Sequence, residues 1–182
     1  LCYPQMTAQQ IESLCKKRML QLGQAFVETP RVWSKPNAWL ESKIVAVEGL
    51  ELFQTAMADK RGTILIVPHQ GNWEIVGLWV SPRSKMTSLY EPPKIAEVGS
   101  WIKSSREQSG ATLVPTDGRG VAALIKALKK GETTAILPDQ QPEESGGIFA
   151  PFMGVQARTM TLLTNLIGRS GCQALFCSAI RE

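Results

Sequence analysis

Short apolar runs rich in β-branched residues alternate along the chain with longer stretches in which apolar residues recur every three or four positions. The short runs are typical of buried strands, and the three-to-four spacing is typical of helices that bury one face. The predicted strands are 44–47, 63–67, 86–90, 112–115, 133–137 and 174–180. The predicted helices are 7–27, 48–59, 75–80, 94–109, 121–130 and 162–166. This alternation predicts an α/β fold with a largely parallel or mixed sheet and helices on both faces.

Polar residues, glycine and proline set the expected ends of these elements. Thr7 is the predicted N-cap of the first helix, which Thr29-Pro30 is expected to end. Asp117 is the predicted N-cap of the helix over 121–130. The stretch 143–157 is rich in glycine but contains an apolar run. It predicts a loop that either folds over an apolar substrate or packs against the sheet.

The only histidine of the chain, His69, directly follows the apolar run 63–67 and Pro68. Gly71-Asn72 predicts a turn after it, which places His69 at the C-terminal end of a strand, where open α/β sheets bind ligands. Glu74 lies five residues further on, where a helix is expected to begin. A carboxylate that orients an imidazole makes it a general base for a hydroxyl. The alternative is a structural histidine whose hydrogen bonds are satisfied within the fold.

Composition and charge narrow the possible partners. The chain has 182 residues, of which 43% are hydrophobic and 20% charged, enough for one domain with a sizeable core. Its formal net charge of +4 favours acidic partners, such as phosphorylated lipid headgroups or an acidic carrier protein. This excess is too small to indicate a nucleic-acid-binding protein.

The four cysteines show no metal-binding spacing and have no histidine near them in sequence. Neither a zinc site nor a disulfide framework is therefore predicted for Cys2, Cys15, Cys172 and Cys177. No run of 18 apolar residues occurs, so no membrane span is predicted within these residues.

Four blocks in order resemble the lipid A biosynthesis acyltransferases, the lauroyl and myristoyl transferases of Gram-negative bacteria, within the glycerolipid acyltransferase superfamily. The first block is His-Gln-Gly-Asn-Trp-Glu at 69–74, and the others are 90–94, 137–140 and 149–159. The chain departs from the pattern at Glu91, where many relatives carry arginine. That departure leaves the phosphate-binding residue open among Lys94, Arg106, Arg119 and Arg158.

The resemblance implies a glycerolipid-acyltransferase-like fold and acyl transfer from an acyl-carrier-protein or CoA thioester to a hydroxyl of a lipid A precursor. His69 would be the general base, Glu74 would orient it, and the Gly71 backbone N–H or a side chain near Asp139 and Gln140 would stabilise the oxyanion. The substrate-binding residues implied are Asn72, Trp73, Tyr90, Lys94, Arg106, Asp139, Gln140 and Arg158. The Asp139-Gln140 pair is equally compatible with a strand-terminal turn.

The same resemblance implies no cofactor and no metal, with the acyl thioester as co-substrate. The expected partners are acyl carrier protein, a phosphorylated glycolipid acceptor and the inner-membrane surface, without nucleic acid, and the expected location is the cytoplasmic face of the bacterial inner membrane. Residues 1–182 are expected to form a single acyltransferase domain. We expect this to be an excerpt of a longer protein that also has an N-terminal membrane anchor and a C-terminal segment.

Two alternatives remain open from the sequence. One is a lysophospholipid acyltransferase acting on 1-acylglycerol-3-phosphate, which would share the same His-x4-acid chemistry. The other is a non-catalytic lipid-binding module, which predicts that His69 faces the core or lacks Glu74 as a neighbour.

Overall fold

The computed structural model describes residues 3–181, and most of the predicted strands and helices occur in this range in their predicted order. The helices are α1 (Ala8–Trp33), α2 (Asn37–Glu41), α3 (Leu50–Ala58), α4 (Glu74–Val80), α5 (Ala96–Gln108), α6 (Gly118–Lys129) and α7 (Leu162–Ser170). The strands are β1 (Thr63–Ile66), β2 (Met86–Tyr90), β3 (Thr112–Pro115), β4 (Thr133–Ile136), β5 (Gly147–Phe152), β6 (Val155–Met160) and β7 (Gln173–Phe176).

Five strands form one sheet in the order β3-β2-β4-β1-β7, and every neighbouring pair is parallel. Strand β1 therefore lies between β4 and β7, with both of its edges paired. In the register of β1 with β4, Thr63 is opposite Thr133 and Ile66 is opposite Ile136. The chain segments that leave the C-terminal ends of β1 and β4 consequently start side by side.

Helices cover both faces of this sheet because successive side chains of a strand point in opposite directions. Ile64 packs with Leu124 and Leu128 of α6 on one face, together with Leu166 of α7. Leu65, the next residue of β1, packs on the other face with apolar residues of α4. The predicted α/β class, with a parallel sheet between two layers of helices, is confirmed.

The predicted cap residues are found, but the predicted end of the first helix is wrong. Thr7 and Gln10 form a reciprocal capping box at the start of α1, and Asp117 accepts hydrogen bonds from two backbone N–H groups at the start of α6. Helix α1 runs through Pro30 to Trp33. In the last turn proline removes only one helical hydrogen bond, and the extra residues include Val32, which is buried against α2 and α4.

Two other segments differ from their predictions. Residues 44–47 form no strand, and Val45 is exposed. The stretch predicted as a loop contains the antiparallel hairpin β5–β6. Its turn uses two consecutive positive φ angles, 49° at Met153 and 79° at Gly154, a backbone shape that suits a two-residue hairpin.

The free thiols of the described residues are Cys15, Cys172 and Cys177, while Cys2 lies outside them. Within residues 3–181, no helix combines the length and apolarity needed to cross a bilayer.

We expect the loss of stability on replacing a leucine by alanine to depend on how deeply that leucine is buried. Leu124 is 0% exposed between α6 and the sheet, whereas Leu52 on α3 is 61% exposed. Leu124→Ala is expected to lower the free energy of unfolding by about 2–5 kcal/mol, since it removes buried apolar contacts and leaves a cavity. Leu52→Ala, the matched control, should change it much less in the same urea denaturation series. Equal effects of the two substitutions would contradict the burial described here.

Candidate active site

The imidazole of His69 is held by Asp139, and the register of the sheet brings the two together. His69 follows the last residue of β1 by three positions, and Asp139 follows the last residue of β4 by three. Because Ile66 and Ile136 are paired, the two side chains meet beyond the C-terminal edge of the sheet. His69 Nδ1 lies 2.8 Å from Asp139 Oδ1, and the His69 backbone N–H donates to Oδ2 at 2.8 Å.

This pairing fixes the tautomer of the imidazole. An ionised carboxylate can only accept hydrogen bonds, so in the neutral imidazole Nδ1 carries the proton and Nε2 keeps its lone pair. Within residues 3–181, Nε2 has no hydrogen-bond partner, and the His69 side chain is partly exposed. The Trp73 ring lies edge-on to the imidazole, with 4.9 Å between ring centroids. His69 therefore presents a basic nitrogen to a ligand from a rigid position.

Asp139 remains ionised at neutral pH in this arrangement. Partial burial acts to raise the pKa of its carboxyl, but the hydrogen bonds from the His69 side chain and from the His69 backbone N–H outweigh it. The net result is a pKa below the usual value for aspartate. The acceptor that holds Nδ1 is thus present throughout the neutral range.

Glu74, predicted to orient His69, makes different contacts. Its carboxylate is buried and accepts hydrogen bonds from Arg106 Nη2 at 2.6 Å, from Arg106 Nε at 3.1 Å and from Trp33 Nε1 at 3.0 Å. It has no hydrogen bond with His69 in the described part of the chain. The orienting role of Glu74 stays a prediction that these contacts do not support: this first residue of α4 points its carboxylate toward α1 and α5, which supply three donors.

The turn after His69 depends on glycine. Gly71 has φ +62°, and a Cβ placed on it would lie 1.8 Å from the Ala179 carbonyl oxygen. That same oxygen accepts the Asn72 backbone N–H at 3.0 Å. The Gly71 N–H itself has no partner in residues 3–181, which leaves it available to an oxyanion close to His69. The prediction of Gly71 as an oxyanion donor is compatible with this geometry.

Asn72 is 3% exposed, and its side chain points toward α1. Its Nδ2 lies 3.4 Å from Glu28 Oε2, and its Oδ1 has no hydrogen-bond partner within residues 3–181. Glu28 also pairs with Arg181, whose Nη2 is 2.7 Å from Oε2. Sequence reasoning missed both Glu28 and Arg181. The one available signal was that an acidic residue of α1 and a basic residue after β7 each interrupt a mostly apolar segment.

The remaining predicted residues form no hydrogen bonds to His69 in the described range. Tyr90 donates its hydroxyl to the Gly99 carbonyl at 2.7 Å and so ties β2 to α5. Lys94 and Gln140 are exposed. Arg158 lies in the hairpin, 5.4 Å above the Phe149 ring.

The partners of Glu91, Arg106 and Arg119 limit which basic residues are available to bind a phosphate group. Glu91 accepts a hydrogen bond from Thr116, so this departure from the family pattern has a local partner. Arg106 is engaged with Glu74, and Arg119 with Asp117. Lys94 is exposed, and within residues 3–181 the only ion pair of Arg158 is a 3.7 Å contact with the exposed Glu144.

Comparison with known proteins agrees with the blocks seen in the sequence. Residues 1–182 match the sequence model of a family described as bacterial lipid A biosynthesis acyltransferase. The chain is 29% identical over 184 residues to the lipid A biosynthesis palmitoleoyltransferase of Escherichia coli (strain K12), a match that covers 100% of this chain and 59% of that protein. It is 26% identical over 172 residues to the lipid A biosynthesis lauroyltransferase of the same strain, covering 93% and 54%.

A more distant match is a phosphatidylinositol mannoside acyltransferase of Mycobacterium tuberculosis (strain CDC 1551 / Oshkosh), 30% identical over 116 residues, which covers 62% of this chain and 36% of that protein. The chain thus spans 59% or less of the length of these three relatives.

The buried ion pair predicts a large stability effect at Arg106. Arg106→Ala leaves the Glu74 carboxylate buried with a single donor, Trp33, so the free energy of unfolding should fall by roughly 3 kcal/mol. This is the low end of the range for a broken buried pair, since the Arg106 side chain is 28% exposed. Arg119→Ala is the control, because its pair with Asp117 is largely exposed, and it should leave stability nearly unchanged. Chemical denaturation of both variants measures the difference, and a mild effect at Arg106 would contradict the burial of the pair.

The lowered pKa of Asp139 predicts a pH dependence with a definite sign. A carboxyl whose pKa is lower in the folded state stabilises the fold above its unfolded pKa, about 3.9 for aspartate, and this stabilisation is lost as the pH falls through the folded value. The contribution of the Asp139 carboxyl to the difference in melting temperature between the wild type and Asp139→Asn should therefore change mainly below about pH 4. A difference that shows no change below about pH 4 would exclude this assignment.

Proposed function

Because the chain belongs to the bacterial lipid A biosynthesis acyltransferase family, we propose that it transfers a fatty acyl chain from a thioester donor to a hydroxyl of a lipid A precursor. The observation that carries the proposal is the pairing of His69 Nδ1 with Asp139, which leaves Nε2 unpartnered in the described residues and basic at the C-terminal end of the sheet. Open parallel sheets bind their ligands at this end.

In the proposed reaction, His69 Nε2 removes the proton of the acceptor hydroxyl as its oxygen attacks the thioester carbonyl. The resulting imidazolium is stabilised by the ionised Asp139, which also keeps the ring oriented. The tetrahedral intermediate collapses with formation of the ester and cleavage of the carbon–sulfur bond, and the imidazolium returns its proton to the leaving thiolate. No acyl-enzyme is required, because the acceptor oxygen attacks the donor directly.

The Gly71 backbone N–H is the proposed donor to the oxyanion. It lies in the turn that starts two residues after His69, and it has no competing acceptor within residues 3–181. A backbone donor held in place needs no reorganisation when negative charge develops on the carbonyl oxygen, which is why such donors contribute strongly to acyl transfer.

The donor, acceptor and location remain those inferred from the resemblance. We propose acyl carrier protein or CoA as the thioester carrier and a phosphorylated glycolipid as the acceptor, at the cytoplasmic face of the inner membrane. The net charge of +4 favours each of these acidic partners. Lys94 and Arg158 are proposed to contact their phosphate groups because, among the described residues, neither is engaged in a close ion pair. Trp73 and Gln140 are proposed to line the same site beside the imidazole and Asp139, and we propose no cofactor.

The alternative of a non-catalytic lipid-binding module is less well supported. It predicted a histidine that faces the core or lacks a carboxylate partner at Glu74. The imidazole does lack that partner, yet it is partly exposed and paired with a different carboxylate, Asp139. A partly exposed imidazole held in the base tautomer favours catalysis over a purely structural role.

Substitutions of His69, Asp139 and Glu74 are expected to have different effects on activity and stability. His69→Ala should lower kcat by about 10²- to 10⁴-fold, since it removes the general base. Asp139→Asn should have an effect in the same range, because the asparagine amide can donate to Nδ1 and so favours the tautomer that has lost the basic Nε2. Glu74→Gln should retain more activity than Asp139→Asn per folded molecule and lose more stability. The matched control is Asp59→Asn, at a partly exposed aspartate paired with Arg61.

The assay uses the full-length protein with labelled acyl-carrier-protein or acyl-CoA thioesters, and with a lipid A precursor or lysophosphatidate as acceptor. Transfer to the lipid A precursor supports the proposed function, and transfer to lysophosphatidate alone identifies the lysophospholipid alternative. Wild-type turnover by both His69→Ala and Asp139→Asn would refute the mechanism, and absence of transfer by the wild type to either acceptor would refute the function.

A further inference from the structure

Three segments that are distant in sequence meet at the carboxylate of Glu28 in α1. Arg181 Nε donates to Glu28 Oε1 at 2.7 Å, and Arg181 Nη2 lies 2.7 Å from Oε2. Asn72 Nδ2, from the turn after His69, lies 3.4 Å from the same Oε2. This two-pronged geometry is the one in which an arginine–carboxylate pair fixes an orientation, beyond contributing attraction.

The segment that Arg181 belongs to holds the turn directly. The Asn72 backbone N–H donates to the Ala179 carbonyl at 3.0 Å, and Arg181 Nη2 lies 3.5 Å from the Gly71 carbonyl oxygen. The peptide group that joins Gly71 to Asn72 is therefore contacted at both its oxygen and its N–H by residues 179–181. The Gly71 N–H belongs to the preceding peptide group, which is joined to this one through the Gly71 Cα, so a displacement of the Gly71–Asn72 group also shifts the Gly71 N–H.

Within the turn itself little opposes a rotation of this peptide group. Glycine has more backbone freedom than any other residue, and at Gly71 it adopts φ +62°. The Asn72 side chain is buried, but its Oδ1 has no partner in residues 3–181, so its polar contact is the one to Glu28. Local hydrogen bonds hold the flanks of the turn, from the Gln70 N–H to the Pro68 carbonyl and from the Ile75 N–H to the Asn72 carbonyl, whereas those to the Gly71–Asn72 peptide group come from Ala179 and Arg181.

We propose that Glu28 and Arg181 are positioning residues for acyl transfer, which hold the Gly71–Asn72 peptide so that the Gly71 N–H faces the oxyanion formed beside His69. The proposal rests on the proposed function and adds to it two residues that touch neither substrate nor the reacting atoms. Glu28 and Arg181 are both ionised at neutral pH: the hydrogen bond from Arg181 is the main cause that lowers the pKa of Glu28, and the reciprocal bond raises that of Arg181.

A positioning role predicts a loss in kcat that exceeds any change in KM. Misplacement of a reacting group by about 1 Å costs up to 10²-fold, so kcat in Glu28→Gln and Arg181→Ala should fall roughly 10- to 10²-fold. KM for the thioester should stay within about twofold, since an interaction made only in the transition state is affected. Arg181→Lys keeps the charge but loses the two-pronged geometry, and it should recover part of kcat. Glu41→Gln is the matched control, because Glu41 also pairs with an arginine, Arg83, at 2.7 Å, away from the turn.

A second measurement reports on the turn without requiring turnover. Hydrogen–deuterium exchange at the Asn72 amide should accelerate in Glu28→Gln and Arg181→Ala and stay at the wild-type rate in Glu41→Gln. If Arg181→Ala does not fold, Arg181→Lys and Glu28→Gln carry the test, with melting temperature as the check on folding.

The outcomes separate this inference from the proposed function. Wild-type kcat and wild-type Asn72 exchange in Glu28→Gln and Arg181→Ala would overturn the inference while leaving the function intact. Faster exchange with unchanged kcat would also overturn it, because the pair would then hold the turn without affecting catalysis. A wild-type protein that transfers no acyl group refutes the proposed function, and the exchange rates then still decide whether Glu28 and Arg181 hold the turn.

Discussion

The parallel pairing of β1 with β4 is the constraint on which the candidate site depends. Their register sets Ile66 beside Ile136, and three residues beyond each lie His69 and Asp139. A shift of one residue would turn every side chain of a strand to the opposite face, so the buried residues Ile64 and Leu65 resist such a shift from both sides of the sheet. The packing that stabilises the core therefore also fixes the distance between the imidazole and its carboxylate.

Asp139 and Glu74 differ in their burial and in their hydrogen-bond partners. Asp139 is partly exposed and has the imidazole as its main partner, which leaves it free to respond when His69 gains a proton. Glu74 is buried, and Arg106 and Trp33 occupy its oxygens. At Glu74 these fixed donors offset the cost of removing a charge from water. The Glu74 carboxylate therefore serves to connect α4 with α1 and α5.

Much of the fold could be predicted from the sequence, because each strand of the sheet has a recognisable local pattern of apolar and turn residues. The strand before His69 and the turn at Gly71-Asn72 were predicted from apolar runs and turn residues alone. Asp139 was recognised as a candidate site residue, but its partner was not, since the order of strands in a sheet is set by packing between distant segments. Glu74 was predicted as the partner of His69 because it lies only five residues away in sequence. In the structure its carboxylate is paired with Arg106 instead.

The errors elsewhere have the same origin. The end of α1 was placed at Pro30 from local rules, whereas burial of Val32 carries the helix one turn further. The hairpin β5–β6 was taken for a loop, because its glycine content concealed a pairing that becomes clear only in the register. Glu28 and Arg181 are 153 positions apart, and nothing in either segment alone indicates the other.

Pro151 affects whether the exposed edge of the hairpin can pair with a strand of another molecule. In the part of the chain that the structure describes, strand β5 pairs only with β6, so its outer side presents backbone groups to solvent next to the exposed side chains of Ile148 and Phe152. Such an edge is a template for pairing with a strand of another molecule. Proline has no N–H, so at position 151 it removes a donor that the ladder with β6 does not need and interrupts the outer edge instead. The apolar hairpin is thereby protected against the edge-to-edge association that leads to aggregation.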